Sequence, residues 1–260
     1  MDQLPYPLEF MHKFNLHKWL HLNVADDDLA TIARLYGVRR SRLARVDRGY
    51  RENVDRLASS LPRRAEPPLE RPVTILALGD SITSDRESWA RILARYWRED
   101  PRRRILDSAV SGDTTASLLE RYHSTIGNQE FDWVVLFIGT NDCRQLDEKT
   151  PMLSLEEYRR NLEILLDRLA GKRVVLVTLP PADNARFHAF FADSGNCYDA
   201  GHLAAANRLL RELAGRRKLA LADLAAGLET LGSEALEPDG LHMSSAGQLV
   251  LCRLLLELLP

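Results

Sequence analysis

Beyond residue 70 the chain alternates between two hydrophobic patterns. Five short apolar runs, "VTILAL", "RILDSAV", "WVVLFIG", "RVVLVTL" and "KLALADL", are of strand length. The stretches between them repeat apolar residues every three to four positions, which predicts helices over 88–98, 114–123, 154–170, 201–215 and 244–258, with Ser154 and Ser244 as N-caps. A continuous apolar strand suits a sheet buried on both faces, and each helix supplies the crossover that parallel pairing requires. The expectation is an α/β fold built on a five-stranded parallel sheet with helices on both sides.

Residues 1–61 carry only helix-like patterning. They end in "SSLPRRAEPPLERP", whose four prolines stop helices and read as a linker. This divides the chain into a small helical N-terminal appendage and Pro-rich linker over 1–70 and a main domain over 71–260. Within the appendage, "DDLATIARLYGVRRSRLARVDRGY" places Ile32, Ala33, Gly37, Val38, Leu43 and Val46 at the spacing of a helix-turn-helix. Ten arginines between Arg34 and Arg64 face only Asp47, Glu52 and Asp55. Such an excess suits a phosphate backbone, but a solvated basic face is its usual meaning. The appendage is therefore expected to act as a helical cap or an oligomerisation element, and nucleic-acid binding is the lesser reading.

Composition narrows the classes further. A 260-residue chain with 45% hydrophobic and 28% charged residues and a formal net charge of −2 is an ordinary globular protein whose bulk charge names no partner. No apolar run approaches the roughly 20 residues of a membrane span, and "MDQLPYPLEFMHKF" lacks the basic-then-apolar pattern of a leader. Cys143, Cys197 and Cys252 are widely spaced and odd in number, so neither a disulfide framework nor a zinc site is suggested. These features lead us to expect a cytoplasmic protein without a membrane span.

The chemistry gathers where strands end. In open α/β sheets, working residues sit in loops beyond the carboxyl ends of the strands. Three such loops here are loaded: Gly79-Asp80-Ser81, "SGDTT" with Gly112, and Gly139-Thr140-Asn141-Asp142. A fourth cluster, "DGLHMSSAGQ", carries Asp239 and His242 ahead of the last helix. Nucleophilic catalysis by serine needs a base, a group that orients the base, and donors for the developing oxyanion. Ser81 fits the nucleophile, His242 the base and Asp239 its orienter; the Ser81 and Gly112 N–H groups and the Asn141 amide fit the oxyanion hole. Asp80 and Asp142 read as carboxylates that brace loops.

These blocks, in this order, resemble the SGNH hydrolases of the GDSL esterase/lipase superfamily over about residues 73–258. Ser81, Gly112, Asn141 and His242 match the four residues that name the group, and Asp239 matches the aspartate three before the histidine. The resemblance implies a three-layer flavodoxin-like fold, with no cofactor and no metal. "SGDTT" and "GTND" look most like the branch that includes lysophospholipase and thioesterase-type enzymes. The implied activity is hydrolysis of a small-molecule carboxylic ester or thioester through an acyl-enzyme. The alternative is a non-catalytic binding or regulatory protein on the same scaffold. Other enzyme classes lack their motifs, since the chain has no GxxxxGK[ST], no GxGxxG after a strand, no HExxH and no GxSxG.

The loop "PPADNARFHAFFADSGNCYDAG" offers Phe187, Phe190, Phe191 and Tyr198 as an apolar substrate wall, or as residues that pack the loop down. Singly, Gly79 and Gly112 also suit turns, and Asn141 suits a helix cap. His12, His17, His21, His123, His188 and His202 read as surface or packing residues. His17 and His21, four apart, raise the lesser option of a metal pair.

Overall fold

The computed structural model describes residues 6–20, 24–63, 69–147, 150–192 and 195–260. His21, Arg64 and the linker prolines Pro67 and Pro68 lie outside the described residues. The first region is helical: α1 (Tyr6–Lys13) passes into a 3-10 turn at Leu16–Leu20, followed by α2 (Leu29–Leu35) and α3 (Arg40–Ser60). Next come β1 (Val73–Gly79), α4 (Ser81–Ser84), α5 (Trp89–Tyr96), β2 (Arg103–Asp107), α6 (Thr115–Arg121) and β3 (Trp133–Phe137). They are followed by β4 (Arg144–Gln145), α7 (Leu155–Arg168), β5 (Arg173–Val177), α8 (Asn184–Phe190) and β6 (Cys197–Tyr198). The last elements are α9 (Ala200–Arg217), β7 (Ala220–Ala222), α10 (Leu224–Leu228) and α11 (Ser245–Leu258).

The main sheet is parallel throughout, in the order β2-β1-β3-β5-β7, which is the flavodoxin-like order. Its central strands explain why. Ile75, Leu76, Ala77 and Leu78 in β1 are fully buried, as are Val134 and Val135 in β3 and Val175, Leu176 and Val177 in β5. With both faces apolar, the sheet has to be covered on both sides by helices. The chain reverses direction across the sheet between β2 and β3, so the loops after β1 and β3 open onto the crevice where ligands bind in such sheets.

Local capping fixes the helix starts. Ser154 and Thr114 form capping boxes with Glu157 and Ser117, and Ser244 accepts from Gly247. The run "KLALADL" is shorter as a strand than its composition suggests, because Asp223 leaves the sheet to cap α10 and pair with Arg211. β4 and β6, which have no strong apolar pattern, form a small antiparallel pair outside the main sheet.

The N-terminal helices are joined to the sheet rather than set apart from it. In α3, Val54, Leu57 and Ala58, followed by Leu61, belong to the main core, while Leu29, Ile32, Ala33 and Leu43 form a small core of their own. Gly37, at φ +65°, makes the turn between α2 and α3. The helix-turn-helix spacing thus corresponds to a real helical pair, whose second helix is seated against α5. A buried ion pair from Arg86 to Asp47 (2.7 Å) adds a polar tie between α3 and the loop after α4.

Candidate active site

The turn after β1 is built for close approach. A Cβ on Gly79 would collide with the Phe137 carbonyl and the Thr83 hydroxyl, so only glycine fits at the end of this strand. Asp80 then accepts the Ile82 N–H at 3.0 Å and caps α4, leaving Ser81 as the first residue of that helix. Among the described residues the Ser81 N–H has no acceptor, as expected of a first-turn amide.

The loop before α11 carries the other half. Gly240, at φ +71°, turns it tightly against Asp183, where a side chain would strike the backbone. Asp239 Oδ1 accepts the N–H groups of Leu241 and His242, both at 2.9 Å, which fixes the carboxylate. Its Oδ2 lies 2.6 Å from His242 Nδ1, and His242 Nε2 lies 2.8 Å from Ser81 Oγ. Burial pushes the Asp239 carboxyl up, but the hydrogen bond and charge of His242 and the two backbone donors outweigh it and hold the group below the usual carboxylate range. An ionised carboxylate only accepts, so Nδ1 carries the ring proton and Nε2 turns its lone pair toward the Ser81 hydroxyl.

Gly112 sits at φ +82° on an exposed corner, and among the described residues its N–H has no acceptor. The Asn141 amide is anchored from the same loop, with Nδ2 donating to the Asp113 carbonyl at 3.0 Å. Asp142 ties the two loops together by accepting the Thr115 N–H and hydroxyl. Beside Gly112 a cleft of about 670 Å³ is lined by polar side chains that include Ser117, Glu120 and Arg121.

Asp80 and Asp142 are buried acids with raised pKa values. Burial drives Asp80 up to about 7 against the Ile82 hydrogen bond, and drives Asp142 up to about 6 against its bonds to Thr115. Asp80 Oδ2 has no protein partner among the described residues, which suits a neutral carboxyl. In the unfolded chain both acids titrate near pH 4. Between about pH 4 and 7 the folded protein therefore holds protons that the unfolded chain has lost, and this contribution to stability declines as pH rises through the window. Asp80→Asn stays neutral throughout, so its melting temperature relative to the original protein is expected to climb between about pH 4 and about pH 8. A pH-independent difference would contradict a raised Asp80.

The four loop aromatics divide into two pairs. Phe187 and Tyr198 are buried and pack edge to face, with ring centres 5.5 Å apart, holding α8 onto β6. Phe190 and Phe191 are half-buried and reach Phe10 of α1, at 6.2 and 5.9 Å.

That contact leads to a feature that the sequence reading missed. Phe14 belongs to the appendage read as a helical cap or an oligomerisation element, yet it lies flat on His242, with ring centres 4.0 Å apart and planes 26° apart. Phe10 meets the same imidazole edge-on at 5.8 Å. The only hint in the sequence is that Phe14 stands four residues after Phe10, just past the end of α1. His12 and His17 are buried 3.5 Å from Asp47 and Asp26, as packing residues of this same segment.

Comparison with known proteins agrees with this architecture. The family model for the GDSL-like lipase/acylhydrolase family matches residues 77–250, and the chain belongs to that family of hydrolases. The acetylxylan esterase of Geobacillus stearothermophilus is 29% identical over 160 residues, covering 58% of this chain and 69% of that protein. The uncharacterized lipoprotein YqeF of Bacillus subtilis (strain 168) is 27% identical over 131 residues, covering 45% of this chain and about half, 53%, of that protein. The crystal structure of a lipase/acylhydrolase from Enterococcus faecalis superposes with a TM-score of 0.60 at 25% identity, over 71% of this chain and 94% of that one. No helix among the described residues is long and apolar enough to cross a membrane.

Proposed function

We propose that the protein is a serine esterase that hydrolyses a carboxylic ester or thioester of a small molecule through an acyl-enzyme. The observation that carries this reading is the unbroken chain from Ser81 Oγ through His242 to Asp239, at 2.8 and 2.6 Å, with the carboxylate anchored by two backbone amides. Ser81 attacks the acyl carbonyl while His242 takes its proton. The tetrahedral oxyanion is held by the Ser81 and Gly112 N–H groups and the free N–H of the Asn141 amide. His242 then returns the proton to the leaving alcohol or thiol, and water reverses the sequence to release the acid. Asp239 fixes the tautomer and offsets the charge of the imidazolium.

Acetyl esters are the first substrates to test, because the Geobacillus relative is named for its action on an acetylated polysaccharide. A panel of chromogenic esters of increasing acyl length, assayed on purified protein, decides whether turnover exists and which chain is preferred. No turnover on any ester or thioester would favour a non-catalytic role for the scaffold.

Removal of the Asn141 donor by Asn141→Ala is expected to lower kcat by about 10²- to 10³-fold with KM little changed, since an oxyanion donor acts mostly in the transition state. A change confined to KM would make Asn141 a substrate-binding residue instead.

A cytoplasmic location is a further proposal, supported by the odd number and wide spacing of the three cysteines. The lipoprotein relative points the other way, and cell fractionation distinguishes the two.

A further inference from the structure

We propose that Phe14 is a positioning residue for His242, held in place by an N-terminal clamp that joins three of the loops around the site. The inference rests on the esterase reading above. It concerns residues that precede the region matched by the family model.

The clamp is made of specific bonds. The Phe14 carbonyl accepts the Ser111 hydroxyl, next to Gly112. The Lys13 carbonyl accepts the Arg86 N–H at 2.9 Å, and the Asn15 amide donates to the Ser84 carbonyl at 2.6 Å, both in the segment that follows Ser81. The Lys13 ammonium lies between Asp85 and Glu87 on that same segment and Glu237 on the loop that carries His242. Asn15 turns the chain at φ +50°, a left-handed conformation that asparagine tolerates better than most non-glycine residues. Residues 13–15 are thus fastened to the nucleophile loop, the Gly112 loop and the histidine loop together.

The ring at the centre of this clamp has a defined relation to the chemistry. Phe14 is 2% exposed and His242 4%, so the stacked face of the imidazole is closed to water. This contact opposes rotation of the ring away from Ser81 and keeps solvent from screening Asp239. The face of a phenyl ring is also its electron-rich side, and it favours a cation above it. The Lys13 ammonium, 5.7 Å from the ring centre, is there throughout, whereas the imidazolium exists during attack and departure but not while the enzyme waits for substrate. An interaction stronger in the transition state than in the ground state raises kcat and leaves KM alone.

The test uses the full chain, with an aryl acetate as substrate. Phe14→Leu retains an apolar cover but loses the π face, and is expected to lower kcat about tenfold with KM within about twofold. The rate of Ser81 labelling by an organophosphonate should fall in parallel. Phe14→Tyr keeps the face, and its hydroxyl can project into the adjoining cavity of about 360 Å³ that Phe14 lines; kcat should return to within about threefold. If Phe14→Leu does not fold, Phe14→Met provides the same comparison. A leucine variant with unchanged kcat would overturn the inference while leaving the esterase reading intact. So would a loss seen only in KM, or a tyrosine variant as slow as the leucine one. Failure of the unmodified protein to label at Ser81 would instead remove the esterase reading, and this inference with it.

Discussion

Replacement of Ser81 by alanine is expected to reduce ester turnover by at least about 10³-fold while the protein stays folded. The geometry separates these two effects. The Ser81 hydroxyl is bonded to His242, whereas the start of α4 is held by Asp80 through the Ile82 N–H. Alanine is a good helix former and removes only the oxygen that the proposed mechanism needs. The check is kcat on an aryl acetate beside a thermal melt. Turnover above about one part in a thousand, in a protein that melts normally, would mean that another group attacks the ester.

The second large effect is expected at Asp239. Asp239→Asn is nearly isosteric, and its remaining oxygen can still accept the N–H groups of Leu241 and His242, so the loop should hold its shape. The other side-chain atom becomes an NH₂ facing His242 Nδ1. That nitrogen must then accept, the ring proton moves to Nε2, and Nε2 can no longer take the serine proton. A fall in kcat of about 10³- to 10⁴-fold is expected from this tautomer reversal. A loss smaller than about tenfold would show that His242 works without its carboxylate.

The same local logic explains why much of the site was legible in the sequence. Gly79 is required by the Phe137 carbonyl, Gly112 and Gly240 by positive φ, and Asp80 by the cap of α4. Each demand falls on one or two residues, so it leaves a mark in the order of the chain. The sheet was legible for a similar reason, since strands buried on both faces have to be apolar throughout. Elements with no periodicity to show were not foreseen: α8 and α10 are seven residues or fewer, and the caps at Asp183 and Asp223 are all that mark them.

Facing is harder to read than existence. The aromatic loop announced its composition but not its division, with Phe187 and Tyr198 turned into the core and Phe190 and Phe191 turned toward Phe10. The contact of Phe14 with His242 joins opposite ends of the chain across a proline-rich break, and no local pattern encodes it. Apolar positions such as Leu29, Ile32, Leu43 and Val54 required a partner surface; here that surface lies within the same chain, in a small satellite core and on the flank of the main one.

Whether Ser81 is a nucleophile activated by His242 is decided most directly by covalent labelling. The protein is treated with an organophosphonate, digested and mapped by mass spectrometry, alongside a variant with His242 replaced by alanine. The expected result is a single adduct on the peptide that contains Ser81, formed stoichiometrically in the unmodified protein and at least about 10²-fold more slowly in the variant. An adduct elsewhere, or labelling of Ser81 at the same rate in both proteins, would contradict it.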